Sequence, residues 1–366
     1  MNRKEQHIFG LEGILRQLIA FNVPFLVYQM PQAEDFHLWI GGKVSLFSPE
    51  KLKKGFLIAP FDDENKSYLY HDAFCFSSSM VNFLDEAKRA AFNSSPFSVS
   101  LTCGELYDDF QSYKSAFEKI KQKIEAKEVK KVVLSRRSFV KSLTISSAIP
   151  MLSERLMRAE GFVYFFSLPQ CGMWLGTTPE LLLSKQNDCL KTVSLAASLA
   201  KNGDSVWREK EKEEQQIVTQ YIEQVFKNSN LIDIQISDCE TIEIRGIKHL
   251  KTSFFAKKTE KTPSLFSLIS QLSPTPAVCG YPKEISKQII RFVEQSDRKF
   301  YAGFLGLIDE EENCEFYVNL RCVEFLHDGA NVYVGGGITE QSTLEEEWKE
   351  TELKLHSILC FLTNRS

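Results

Sequence analysis

The sequence predicts an α+β fold, on three observations. Hydrophobic residues make up 43% of its 366 positions, enough for a sizeable core and too many for global disorder. Strand-like runs come in groups with helices inserted among them, where an alternating parallel sheet would show strand and helix in strict turn. No internal repeat or low-complexity stretch interrupts that pattern. The length allows one large domain or two ordinary ones.

The elements follow in order. Residues 1 to about 100 mix short apolar runs, FLVYQM and KGFLIAP among them, with turn-forming residues, and read as strands joined by loops. NSSPFS, Asn93 to Ser98, reads as a connector. YKSAFEKIKQKIEAKEVK is helical, with Tyr113, Phe117, Ile120 and Ile124 on one face. KVVLSRRSFV is a strand, and SSAIPMLSERLMRAE is helical beyond its proline. GFVYFFSL, MWLGTTP and LLLSK read as adjacent strands of one antiparallel sheet. A long helix, REKEKEEQQIVTQYIEQVFKNS, is followed by the helices LFSLISQL and KEISKQIIRFVEQ. FYAGFLGLID, CEFYVNLRCVEFL and NVYVGGG are strands, and a last helix runs from about Thr343 to Leu362.

Bulk chemistry excludes several classes. The formal net charge is −4 with no basic stripe, so nucleic acid is not expected as a partner. The longest apolar runs fall far short of a bilayer span, and no secretory signal follows MNRKEQHIFG. The nine cysteines are odd in number, scattered and without a CxxC, which reads as reduced thiols in the cytoplasm. Six dispersed histidines give a zinc site no support. VGGGITEQ lacks the GxGxxG spacing of a dinucleotide fold, and no GKS or GKT follows its glycines.

Two acidic helices hold the candidate chemistry. In the last one, Thr343 and Glu346 have capping-box spacing, while Leu344, Trp348, Leu355 and Leu359 form the apolar face. Glu347, Glu350 and Lys354 line one edge, leaving Glu345 and Glu346 to solvent. In the earlier helix Glu214 precedes Ile217, Val218, Tyr221 and Val225, at the start of the buried stripe. A carboxylate there needs a cation or a donor. Two or three such carboxylates with water would suit Mg²⁺; a solvated, salt-bridged face is the commoner explanation. Lys131 opens a strand, where most lysines are solvated ends. Glu180 sits in apolar LGTTPELLL, suited to an acid with a raised pKa or to turn capping. Arg321 interrupts a strand, as a structural ion pair or a carboxylate clamp. PTPAVCGYP is a rigid loop entering a helix.

Nine segments, taken in order, resemble the chorismate-utilising enzymes: the isochorismate, salicylate, anthranilate and aminodeoxychorismate synthases. They are KVVLSR, LGTTPELLL, SLAAS, EEQQIV, PTPAVCGYP, FYAGFLG, VNLRC, GGGIT and EEEWKETELKL, within about Tyr113 to Phe361. The resemblance implies largely antiparallel sheets packed together in the core with helices outside. It also implies a catalytic region at 105–362, with residues 1–100 as a variable part of the same globular unit. PTPAVCGYP looks like the isochorismate-type HPTPAVGGxP, so isochorismate synthase of the menaquinone or siderophore type is the nearest branch.

By the same resemblance, Lys131 is the general base that activates water for attack at C2 of chorismate. Glu180 is the acid that protonates the departing C4 hydroxyl. Glu214 and Glu350 match the Mg²⁺ ligands, and Glu347 matches a further acidic residue that reaches the ion directly or through water. Arg321 matches the clamp on the enolpyruvyl carboxylate, with Tyr301 near it. Lys354 and Ser198 match substrate-side residues, and the backbone at Gly336 and Gly337 is open to close approach. A monomer without a glutaminase subunit is expected. Three departures stand out: Ser273 where histidine is usual, Ala197 for a glycine, and Gln215 for a histidine. Tyr301 and Leu320 also suit a salicylate synthase, and the departures at Ser273 and Ala197 suit a chorismate-binding protein without turnover.

Overall fold

Strand Phe162–Leu168 is buried at all seven positions, and its alternating side chains serve two different cores. Phe162, Tyr164 and Phe166 pack with Phe56, Phe304 and Tyr317 from another sheet, whereas Val163 and Phe165 pack with Leu11, Leu15 and Leu152 of helices. Side chains alternate across a strand, so one strand buried on both faces divides the molecule into layers. The structure is a computed structural model; residues 3–62, 66–97, 101, 109–200, 206–244 and 246–359 are described.

Two large antiparallel sheets result, giving the expected α+β architecture. The first runs from edge to edge as Gly280–Tyr281, Lys131–Val140, Ala330–Ile338, Cys322–Phe325, Gly172–Thr178, Phe162–Leu168, Phe25–Gln29, His37–Ile40 and Phe74–Ser77. The second runs as Ile232–Ile236, Ile247–Lys257, Cys189–Ala200, Leu181–Gln186, Cys314–Val318, Phe304–Ile308, Gly55–Ala59, Tyr68–His71 and Lys43–Leu46. Strand Glu240–Ile244 pairs beside Ile247–Lys257. Strands from the first eighty residues join both sheets: Phe25–Gln29 pairs with Phe162–Leu168, and Gly55–Ala59 with Phe304–Ile308.

Four expectations need correction. The N-terminal region is not strands alone, because helices Arg3–Ala20 and Phe83–Asn93 flank its strands. The first buries Ile8, Leu11, Leu15 and Leu18, a helical repeat hidden among short apolar runs. Helix Ile145–Arg158 begins ahead of its proline, set by a Thr144–Ser147 capping box. Pro150 is exposed there and removes a single backbone bond near the helix start.

LLLSK does not continue the sheet of GFVYFFSL and MWLGTTP. The chain leaves the first sheet at Thr178 and enters the second at Leu181, through Pro179, which has no N–H for either ladder. CEFYVNLRCVEFL is likewise two strands in two sheets, broken at Asn319, Leu320 and Arg321, where Arg321 takes φ +49°. The two crossings brace each other. The Thr178 hydroxyl donates to the Val318 carbonyl (2.6 Å), and the Val318 N–H donates to the Glu180 carbonyl (2.9 Å). Of the predicted last helix, Leu344–Leu359 is helical, and 360–362 lie outside the described residues.

Candidate active site

The crossings put Glu180 and Arg321 on one cleft, whose floor is the glycine-rich end of strand Ala330–Ile338. That end pairs with Val133 to Ser135 of the neighbouring strand. A Cβ at Gly337 would lie 2.5 Å from Glu214 Oε1 and 2.7 Å from Lys131 Cε. One at Gly336 would lie 2.9 Å from Glu347 Oε2. The glycines therefore admit the carboxylates of both acidic helices against the strand backbone.

Glu180, Ser198, Glu214, Tyr301, Arg321, Gly336, Gly337, Glu350 and Lys354 all line this cleft. Lys131 and Glu347 are fully buried just behind the lining, Lys131 against Glu214 and Glu347 beneath Gly336. All eleven residues singled out in the sequence thus gather at one place. Lys131 is no solvated strand end.

Burial pushes the Glu180 carboxyl up to about 8, against the opposing pull of the Lys131 charge and a 3.5 Å hydrogen bond from the Thr275 hydroxyl. Lys131 Nζ lies 2.9 Å from Glu214 Oε1, an ion pair whose angles fall short of a hydrogen bond. Lys354 pairs with Glu350 at 2.7 Å and donates to the Gly335 carbonyl at 2.8 Å. Tyr301 stacks on Tyr333 with ring centroids 5.4 Å apart. Burial and the adjacent Glu350 charge push the Glu347 carboxyl up to about 7, against Lys210. Among the described residues its buried Oε2 meets no hydrogen-bond geometry, although the nearby Ser342 hydroxyl favours the charged form. Among the described residues, no three carboxylate, histidine or thiol side chains stand close enough to form a metal cage as they are.

Three site residues were missed in the sequence. Lys210 holds Glu347 Oε1 at 2.5 Å; its signal was the four-residue spacing to Glu214 on one helix. Thr275, within PTPAVCGYP, reaches Glu180. His249 donates from Nδ1 to the Ala197 carbonyl (2.9 Å), leaving Nε2 to accept from Arg321 (2.8 Å). Burial, then the Arg321 charge, lower His249 to about 3, so it stays neutral and orients the guanidinium. Its inward-facing position on strand Ile247–Lys257 shows only in the structure.

The departures also find places. Ala197 adopts φ +60°, the left-handed region that favours glycine. Gln215, rather than Glu214, lies on the buried stripe of its helix, and its amide donates to Ser194 Oγ at 2.9 Å. Glu214 stands at the stripe's edge, turned to the cleft, and the stripe itself runs through Val218 and Ile222. Ser273 is buried but not on the cleft lining, which takes Ala277 and Val278 from the same loop.

Residues 76–363 match a family described as chorismate binding enzymes. Isochorismate synthase EntC of Escherichia coli (strain K12) is 32% identical over 246 residues, covering 63% of this chain and 62% of that protein. Isochorismate synthase MenF of Bacillus subtilis (strain 168) is 30% identical over 269 residues, covering 69% and 56%. The match thus spans less than two thirds of either relative's length. The solved structure of the menaquinone-specific isochorismate synthase MenF from Escherichia coli superposes with a TM-score of 0.76. It covers 94% of this chain and 89% of that one at 20% identity, a likeness of fold.

Proposed function

The chain belongs to the chorismate binding enzymes, and from that premise we propose that it is an isochorismate synthase. One observation supports this above the others. A buried carboxyl with its value pushed up to about 8 and a buried lysine stand at one cleft, beside an arginine oriented by a neutral histidine. Lys131 takes a proton from water as its oxygen bonds to C2 of chorismate. The ring double bond shifts, and the C4 hydroxyl leaves with the proton of Glu180, so water enters and water departs. Glu180 is suited to this because at neutral pH it still holds its proton. Arg321 holds the enolpyruvyl carboxylate, and His249 fixes the plane of its guanidinium. Tyr301, Ser198 and Lys354 complete the substrate side.

The residues fit a magnesium ion. Glu347 keeps a buried oxygen that meets no hydrogen-bond geometry among the described residues, beside a like charge and against Gly336, which leaves room for it. Glu214, Glu347 and Glu350 would hold the ion, with water completing its shell. When bound, it would neutralise the ring carboxylate. We place the enzyme in the cytoplasm, as a monomer without a glutaminase subunit, serving menaquinone biosynthesis, with siderophore biosynthesis as the alternative. Tyr301 and Leu320 both line the cleft, which keeps a salicylate synthase as the second reading.

The test is to incubate the protein with chorismate and Mg²⁺, with and without EDTA and ammonium, and separate the products by liquid chromatography with mass detection. The expected result is a new species of chorismate's mass, abolished by EDTA and indifferent to ammonium. Salicylate with pyruvate would establish the second reading. Binding without any product would overturn both.

A further inference from the structure

Every carboxylate proposed for the metal already has a lysine: Glu214 has Lys131 at 2.9 Å, Glu350 has Lys354 at 2.7 Å and Glu347 has Lys210 at 2.5 Å. Lys131 and Lys354 have work on the substrate side. Lys210 has none. It does not line the cleft, its side chain is 9% exposed, and among the described residues its hydrogen-bonding partner is Glu347 alone. It also lies within electrostatic reach of Glu350 and Glu214.

Three carboxylates each faced by a lysine leave the site with little negative charge to spare, even with Lys131 as the neutral amine its role as a base requires. A divalent cation arriving alone would bring uncompensated positive charge into a buried place, beside the Lys210 side chain it must displace from Glu347. A ligand with two carboxylates would cancel that charge. We infer that Lys210 is the residue that makes divalent-cation binding weak alone and strong with a dicarboxylate, by competing for Glu347 and holding the site together while no metal is bound. The inference rests on the magnesium reading above and adds a coupling between metal and substrate. The coupling is reciprocal, so Mg²⁺ tightens the dicarboxylate by the same factor.

The experiment is calorimetric titration of Mg²⁺ into the full chain, alone and with chorismate, for the wild type, Lys210→Gln and Lys210→Arg. Melting temperatures with and without Mg²⁺ are measured in parallel. Gln keeps a donor for Glu347 but removes the charge; Arg keeps the charge. The expected result is that Lys210→Gln binds Mg²⁺ alone ~10-fold or more tighter than wild type, a factor equivalent to one pair-scale interaction. Its melting temperature should rise with Mg²⁺ more than the wild type's, and Lys210→Arg should behave as wild type. If Lys210→Gln binds Mg²⁺ no more tightly while wild type with chorismate binds it well, the inference fails and the magnesium reading stands. The same holds if Gln and Arg shift affinity equally. If wild type and both variants bind no Mg²⁺ even with chorismate, the magnesium reading fails and takes the inference with it. Should Lys210→Gln not fold, Lys210→Arg with Mg²⁺ alone still decides: binding much tighter than wild type would overturn the inference.

Discussion

At the scale of single residues, Glu180 decides how the site responds to pH. Its carboxyl is pushed up to about 8 by burial, and the proposed role needs the protonated form. Turnover should therefore fall as pH rises through about 8, in a pH series of kcat. Glu180→Gln should lose ~10²-fold or more in kcat with little change in KM. It should also alter stability with a definite sign. Between the ordinary 4.5 and about 8, folded Glu180 keeps a proton that the unfolded chain has released, so stability falls as pH rises across that window. Glu180→Gln should accordingly melt higher than wild type at pH 8 and gain nothing at pH 4. Lys131→Ala should abolish hydration while chorismate still binds with Mg²⁺; retained turnover would remove Lys131 from the chemistry. Lys131 and Glu180 were legible because each sits in a segment with recognisable neighbours. Lys210 and His249 were not, because a string of residues does not say which lysine of a charged helix, or which of six histidines, faces inward.

At the scale of elements, the glycine strand and the two sheet crossings build the cleft. A Cβ at Gly337 would sit 2.5 Å from Glu214 Oε1. Gly337→Ala should push that carboxylate and Lys131 apart, lowering stability by ~1–3 kcal/mol and activity more steeply than stability. Chemical denaturation and steady-state rates on one preparation would check both. Thr178→Val removes the hydroxyl that ties one crossing to the other at Val318. It should lower stability by ~1 kcal/mol and reduce kcat by moving Glu180 and Arg321 relative to each other. Which runs are strands was legible from apolar content. Which sheet each strand joins was not: LLLSK looks like a continuation of MWLGTTP, and only Pro179 hints that the ladder stops. The first helix was missed for a similar reason, since Ile8, Leu11, Leu15 and Leu18 are spread through polar residues in a region whose other runs are strands.

At the scale of the whole molecule, the site gathers segments far apart in sequence, from Lys131 to Lys354. Periodicity cannot predict such a convergence; it came into view through the order of nine segments, and the geometry then supplied the contacts. The central claim is that water becomes the new hydroxyl at C2 while the old C4 hydroxyl leaves. The most direct measurement is to run the reaction with chorismate and Mg²⁺ in ¹⁸O-enriched water and read the mass of the product. A product heavier by one isotopic substitution, with the label at C2, is what the roles of Lys131 and Glu180 predict. A product of unchanged mass would mean that the hydroxyl migrates within the substrate, contradicting both roles.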